Sequence, residues 1–455
     1  MEQDTIFALS SGKGKAGVAV IRVSGENALE ALSHCGIDEE IKPRTACLKK
    51  LTDYRNNAVI DHALVIYFKA PYSFTGEDSV EFHLHGSVAV INNMLDMLAS
   101  IEGFRPAEAG EFSRRSFDND KMDLLQAEGL SDLIEAETSA QAKQSLRFIE
   151  GETSNLYEYW REAVIEIRAL IEAYVDFPDE DIPPQVDNQA FENSQILIEQ
   201  IDKQLSNKSG ERLRKGIVAA IIGPPNAGKS TLINKLSRRE VAIVSDIAGT
   251  TRDSLECHLD INGYPLTLID TAGIRRTEDV IESEGVKRAK EKANNADFMI
   301  VIFSAENYPN FGSEALNMID KNSIVIINKA DLKKIEISDL KINSENIIIT
   351  SLLNPQAAEP SYKGIEDIEE VIAAKLENMM ESSESAIITR QRHKTALQSC
   401  RNCLEEFIKA RKEHKQTELC AENLRQASFY LSSITGRIDV ENVLDKIFSE
   451  FCIGK

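Results

Sequence analysis

Two textures alternate along the chain. Over residues 1–120, apolar runs such as VAVIRVSG (18–25), ALVIYF (63–68) and SVEFHLHG (79–86) are separated by turn-rich stretches, the pattern of short strands. SVAVINNMLDMLASI (87–101) instead repeats its apolar positions at the spacing of an amphipathic helix. From about 121 the texture changes: residues 124–177 are rich in Leu, Ala, Glu and Gln with apolar positions three and four apart, a long-helix texture. The prolines and acids of DFPDEDIPP (176–184) break it, and another helical segment follows at 188–208. Between 216 and 372 the apolar runs IVAAIIG, LTLID, FMIVIF, SIVIIN and NIIIT alternate with helical stretches, which predicts an α/β core of buried strands. After 373 helical texture returns through about 450. Helical flanks on both sides of an α/β core predict an insertion. The expected fold class is therefore multidomain α/β and α+β: an α+β domain over 1–120, one helical domain assembled from 121–215 and 373–455, and an α/β domain over 216–372 projecting from it.

Composition narrows the partners. The chain has 455 residues, too many for one core, with 42% hydrophobic and 28% charged residues, ordinary for a soluble globular protein. No run of 18 apolar residues occurs, and MEQDTIFALSSGKGKAG lacks the apolar centre of a signal peptide. The cysteines (Cys35, Cys47, Cys257, Cys400, Cys403, Cys420, Cys452) are scattered and odd in number, which suits a reducing cytoplasm better than a disulfide framework. A formal charge of −22 repels phosphate backbones unless the basic residues are locally concentrated, so any nucleic acid is expected to be held largely by a basic partner.

GPPNAGKS (223–230) follows the apolar run IVAAII and precedes the helical TLINKLSRR, the context a phosphate-cradling loop requires. Glycines let backbone N–H groups close around phosphates at a helix N-terminus. Lys229 is placed to reach the β- and γ-phosphates and the Ser230 hydroxyl to hold Mg2+. Asn226, Ala227, Gly228 and Thr231 complete that loop. Three further signals follow in order. GTTRD (249–253) offers Thr251 to the Mg2+ shell; DTAG (270–273) brings Asp270 near Mg2+, Thr271 and Ala272 beside the phosphates and the Gly273 N–H to the γ-phosphate; NKAD (328–331) ends the run SIVIIN. In that last motif Asn328 and Lys329 frame the base, and the Asp331 carboxylate can accept from N1–H and the amino group of guanine, donors that adenine lacks. GTP is thus selected over ATP. TSLLN (350–354) stands where a Ser-Ala-Lys-like loop is usual, which assigns Ser351 and Leu352 to the guanine loop.

Hydrolysis needs more than these motifs provide. Where many signalling GTPases carry a water-orienting Gln after DTAG, this chain has Ile274, leaving Glu278, Glu282 and Glu284 as candidates. Charge neutralisation could come from Arg252, Arg275 or Arg276, or from a monovalent cation held by Asn226 and backbone carbonyls of the 245–250 loop. Sequence physics does not choose between them.

IRVSG (21–25), SFTGED (73–78), EAGEFSRRSFDNDKMDLLQAE (108–128), DFPDED (176–181), NAGKSTLIN (226–234), SDIAGTTRD (245–253) and the terminal FCIGK (451–455) together resemble the MnmE (TrmE) tRNA-modification GTPases from end to end. The resemblance implies an N-terminal folate-binding domain that dimerises, a discontinuous helical domain and an inserted Ras-like G domain. It implies a heterotetramer with an FAD- and NADH-using partner (MnmG, or GidA) that adds an aminomethyl or carboxymethylaminomethyl group to C5 of the wobble uridine of certain tRNAs. It implies GTP hydrolysis stimulated by potassium, with Asn226, Ser245, Ile247 and Thr250 around the ion and Asp246, Ala248 and Gly249 in the same loop. Glu282 matches the water-orienting glutamate. Arg22, Glu81, Lys121 and Lys455 match contacts to a 5-formyltetrahydrofolate or 5,10-methylenetetrahydrofolate donor; cations suit the glutamate tail and a carboxylate suits the pterin's donor edge. Cys452 matches the terminal cysteine. The chain departs from the pattern at Ser245 (Thr expected), LHGS (84–87) and TSLLN.

Other patterns point to bland roles. Residues 12–17 match G-x-G-x-x-G but precede a strand, so the dinucleotide context fails. Cys400 and Cys403 are C-x-x-C within a helical stretch, with no second pair. His83 and His85 share one face of an expected strand and read as satisfied structural histidines. The competing classes are a ribosome-assembly or signalling G protein without covalent chemistry, and a folate-dependent transferase with a vestigial G domain.

Overall fold

The computed structural model describes residues 4–176, 184–239, 256–270, 296–336, 346–354, 362–380, 385–413, 417–438, 441–449 and 451–454. The chain divides into two compact units: Met1–Ser131, Arg147–Ser194 and Asn402–Lys455 form one, and Asp132–Leu146 with Gln195–Arg401 the other.

The first unit opens with β1 (Thr5–Leu9), β2 (Ala16–Ser24), α1 (Glu30–His34), β3 (Cys47–Thr52), β4 (Val59–Phe68), β5 (Ser79–Gly86), α2 (Val88–Leu98), β6 (Phe104–Pro106) and α3 (Glu111–Asp118). The strands form one sheet in the order β3-β4-β5-β2-β1-β6, antiparallel except for the β1–β6 pair. Alternation in β5 sends Val80, Phe82 and Leu84 into the core, where Ile21, Val23, Val65, Met94 and Leu98 meet them. Glu81 and His83 therefore take the opposite face, and the register sets Arg22 directly across from Glu81.

The stretch 124–177, whose texture suggests one long helix, contains three: α4 (Leu124–Glu135), α5 (Ser139–Ile149) and α6 (Glu152–Asp176). The first break is a capping box, with the Thr138 N–H donating to Gln141 Oε1 at 3.1 Å and the Gln141 N–H to Thr138 Oγ1 at 3.4 Å. Helices α7 (Pro184–Ser206), α8 (Ser209–Lys215) and α9 (Lys229–Arg239) follow. After the short α10 (Ser313–Leu316) come α11 (Ile365–Met380), α12 (Gln391–Lys412), α13 (Thr417–Thr435) and α14 (Glu441–Ser449). In the first unit α6 packs along α13, with the fully buried Tyr157 and Trp160 rings edge-on at 5.8 Å.

The second unit is built on β7 (Ile217–Ile222), β8 (Glu256–Ile261), β9 (Tyr264–Asp270), β10 (Phe298–Ser304), β11 (Ile324–Asn328) and β12 (Asn346–Ile349), in the order β12-β11-β10-β7-β9-β8. All pairs are parallel except β8–β9. Both faces are covered, which is why the strands read as unbroken apolar runs. Ile300, Ile302, Ile324 and Ile326 meet Leu232, Leu236, Ile368, Ile372 and Leu376 on one face, while Val301, Phe303, Val325 and Ile327 meet Phe311, Ala330 and Ile335 on the other. Chain entry and exit converge on one carboxylate: Asp132 accepts from Arg214 Nε at 2.9 Å, just before β7, and from Arg390 Nη2 at 2.7 Å, just before α12.

Candidate functional site

Strand order reverses at β7, with β9 and β8 on one side and β10, β11 and β12 on the other. In open α/β sheets a ligand binds beyond the carboxyl ends of the strands at such a switch point. The loop 223–228 leaves the carboxyl end of β7 there and runs into α9, whose first residues are Lys229 and the exposed Ser230. That helix start carries the partial positive charge of a helix N-terminus. Asn226 is exposed and adopts φ +61°; Ala227 is fully buried. Gly228 sits at φ +111°, where a Cβ would stand 2.2 Å from Asn328 Nδ2, so the loop closes only with glycine. Lys229 folds over the loop and donates from Nζ to the carbonyls of Gly223 at 2.6 Å and Pro224 at 2.9 Å. It is a buried cation held where phosphate oxygens can exchange with carbonyls.

A second set of side chains gathers at the ends of β11 and β12. Asn328 is buried and bridges two loops: its Nδ2 donates to the Ala227 carbonyl at 2.9 Å, and its Oδ1 accepts from the Leu352 N–H at 3.0 Å. Ser351 donates to Asp331 Oδ1 at 2.6 Å, and Asn354 donates to Asp331 Oδ2 at 3.3 Å. The Ser351 bond, aided by Asn354, outweighs partial desolvation and holds the Asp331 carboxyl below its ordinary range, so an acceptor-only carboxylate persists there. Lys329, at φ +61°, pairs with Glu306 through Nζ at 2.8 Å. Sequence reading named Asn328, Lys329, Asp331, Ser351 and Leu352, and the structure brings all five together. It missed Glu306 and Asn354. The available signal was their placement just past β10 and β12, on the same edge of the sheet.

Asp270 ends β9 at that edge by its backbone position. Ser245, Asp246, Ile247, Ala248, Gly249, Thr250, Thr251, Arg252, Thr271, Ala272, Gly273, Arg275, Glu282 and Lys455 lie outside the described residues. Thr231 follows in the first turn of α9.

In the first unit, Arg22 Nε donates to Glu81 Oε1 at 3.0 Å, and its guanidinium lies 5.1 Å from the Phe74 ring centre and 5.7 Å from that of Phe112. His83 Nε2 reaches Glu81 Oε2 at 3.2 Å. The C-terminal segment closes nearby in the same unit. Ile453 bridges Ala109, and the Gly110 N–H donates to the carbonyl of Cys452, whose thiol side chain is exposed. Lys121 stands exposed just after α3.

The remaining patterns keep structural roles. His85 Nδ1 pairs with Asp61 at 2.8 Å; burial would raise the Asp61 carboxyl, but hydrogen bonds from His85 and the His62 N–H overcome it and lower its pKa. Cys400 and Cys403 lie on α12, and desolvation, then Glu406, raises the Cys403 thiol away from thiolate character. The 12–17 stretch lies after β1 and runs into β2, a strand where the dinucleotide pattern needs a helix.

The family profile described as "GTP-binding protein TrmE N-terminus" matches residues 5–121, and "MnmE helical domain" matches 124–452. The tRNA modification GTPase MnmE of Rickettsia bellii (strain OSU 85-389) is 48% identical over 459 residues, covering 99% of this chain and 100% of the relative. The chain belongs to the MnmE family of tRNA modification GTPases. The MnmE of Ehrlichia canis (strain Jake) is 44% identical over 462 residues, covering 100% of both chains. Among solved structures, the G domain of FeoB from Methanococcus jannaschii aligns with 21% identity and a TM-score of 0.26, covering 35% of this chain and 98% of that one. Among the described residues, no helix is long and apolar enough to cross a membrane.

Proposed function

We propose that this MnmE-family chain is a potassium-stimulated GTP hydrolase. With an FAD-dependent partner of the MnmG type, it adds an aminomethyl or carboxymethylaminomethyl group at C5 of the wobble uridine of certain tRNAs, drawing on a folate one-carbon donor. The observation that carries the nucleotide half is Asn328, which ties the phosphate loop at Ala227 to the guanine loop at Leu352 while Ser351 fixes Asp331 as an acceptor beside it. A carboxylate so placed accepts from both guanine donors; adenine offers neither.

In this reading Lys229 gives up its carbonyl partners for the β- and γ-phosphate oxygens. Water attacks the γ-phosphorus, forming a new P–O bond while the bridging β–γ P–O bond breaks and GDP leaves. Glu282 accepts a hydrogen bond from that water and aligns it. Arg252 and Arg275 are the cations in reach by sequence of the developing charge. Ser230 and Thr251 would hold Mg2+, which supplies charge neutralisation across the phosphates. Asn226, with Ser245, Ile247 and Thr250, would hold K+ beside them. The exposed amide of Asn226, set by its positive φ on the loop, suits an oxygen-seeking ion.

For the one-carbon donor, a partly exposed Arg22–Glu81 pair set against two aromatic rings fits a flat pterin with an anionic tail. Arg22, Glu81, Lys121 and Lys455 would hold it, and Cys452 stands exposed in the adjoining segment. We assign residues 1–120 to a donor-binding domain that pairs two copies, 121–215 with 373–455 to the helical domain, and 216–372 to the G domain. The acidic chain leaves tRNA to be held mostly by the partner, in a heterotetramer in the cytoplasm. GTP turnover measured in potassium against sodium, with and without the FAD partner, tests the proposal. Equal rates in both salts contradict it.

A further inference from the structure

The SFTGED loop (73–78) meets the end of α3 and the NDK turn after it (119–121) across 42 residues of sequence from Phe74 to Ser116 and 44 from Thr75 to Asn119, joined through two successive carbonyls. Ser116, fully buried on α3, donates from Oγ to the Phe74 carbonyl at 2.7 Å. One turn later the Asn119 amide donates to the next carbonyl, that of Thr75, at 2.8 Å. The α3 terminus is closed by the Asp120 N–H on the Phe117 carbonyl at 3.0 Å and the Lys121 N–H on the Ser116 carbonyl at 2.8 Å, with Asp120 at φ +53°. Ser116 thus grips the loop with its hydroxyl and sets Lys121 with its carbonyl.

Gly76 completes the joint. It sits at φ +82°, and a Cβ there would stand 2.9 Å from Asn119 Cβ and 3.3 Å from both Cγ and Cδ of Lys121. The lysine stem therefore lies across the bare face of this glycine. Two residues earlier, the Phe74 ring underlies Arg22 at 5.1 Å. One loop thereby supports two cations, Arg22 over Phe74 and Lys121 over Gly76. The loop itself is anchored from below: Glu77 accepts from Ser24 Oγ at 2.8 Å and from Arg115 at 3.1 Å, and Arg115 is almost fully buried.

We infer that the 73–78 loop and the 119–121 turn form one clasp in which Gly76 and Asn119 are positioning residues, fixing where Lys121 stands relative to the Arg22–Glu81 pair for an anionic, flat-ringed ligand. This rests on the donor-site reading above and adds two residues that act on the ligand only through Lys121.

The test is calorimetry of the full-length protein with 5-formyltetrahydrofolate as probe. Asn119→Asp keeps the size of the side chain but removes its donor to Thr75; loss of one such bond weakens binding about five- to tenfold. Gly76→Ala, which retains the Asn119 amide but crowds the Asn119 Cβ and the lysine stem at a backbone φ of +82°, is the second variant and weakens binding at least as much. The decisive arm is additivity. With Lys121→Ala already in place, adding Asn119→Asp costs nothing further if Asn119 works through Lys121. Parent-like affinity in Asn119→Asp, with an unchanged melting temperature, overturns the clasp. So does a double variant weaker than Lys121→Ala by the full Asn119→Asp factor, which marks general loop damage. A parent that fails to bind the probe at all removes the donor-site reading, and this inference with it.

Discussion

Ser351 donates a hydrogen bond from Oγ to Asp331 Oδ1 at 2.6 Å, joining the carboxylate at the end of β11 to the loop after β12. Because this bond lowers the Asp331 pKa, its contribution is present above the ordinary aspartate value of about 3.9 and is lost as pH falls through the lowered value. Ser351→Ala is expected to weaken GTP binding about tenfold at neutral pH. The acid limb of the binding profile should also move up in pH, toward the ordinary carboxylate range. Nucleotide titrations from pH 3 to pH 7 on both proteins read the two effects together (roughly the span of an aspartate titration).

Exchanging the acceptor for a donor should exchange the base. Asp331→Asn keeps one acceptor for N1–H but turns an amide N–H toward the guanine amino group, losing at least one hydrogen bond to a charged partner at about 1.5–3 kcal/mol, or about 10- to 10²-fold in GTP affinity. Xanthosine triphosphate, with a carbonyl at that edge, should bind the variant better than GTP does. Competition between the two nucleotides measures the exchange.

Asn328→Ala strands the Ala227 carbonyl and the Leu352 N–H in a buried site. Each orphaned group costs about 1–3 kcal/mol. Thermal or urea unfolding should register that loss, and GTP binding should fall with it because both loops lose their common strut. Asn328→Asp keeps the acceptor for Leu352 but sets a buried carboxylate against the Ala227 carbonyl, so it should not restore the stability.

Glu282→Ala is expected to leave nucleotide affinity near normal while cutting turnover about 10²- to 10⁴-fold, the range for a positioned side chain that hydrogen-bonds the attacking water. Equal losses in binding and turnover contradict the role. Single-turnover hydrolysis alongside equilibrium binding separates them.

The second unit was legible because its strands are buried on both faces, so IVAAII, FMIVIF and SIVIIN stand out as unbroken runs with a motif at each carboxyl end. β8 was not, since ECHLDI is a half-exposed antiparallel edge strand without a continuous run. β3 hid for a related reason: CLKKLT is an edge strand carrying Lys49 and Lys50, which guard its open hydrogen-bonding side. The Thr138-Gln141 capping box was present in the sequence but submerged in the helical texture around it. Glu306 and Asn354 carry no motif at all; only the sheet order reveals that they reach Lys329 and Asp331. In the first unit, Arg22 and Glu81 were tied together by strand register, a pairing that periodicity alone does not specify.

The central claim is a guanine nucleotide seated at the β7 switch point by Lys229 and Asp331. Equilibrium binding of GTP and ATP to the parent and to Lys229→Ala tests it most directly. The parent should bind GTP with ATP unable to compete, and Lys229→Ala should lose most of the GTP affinity. An unchanged affinity in Lys229→Ala, or a parent that prefers ATP, contradicts the account.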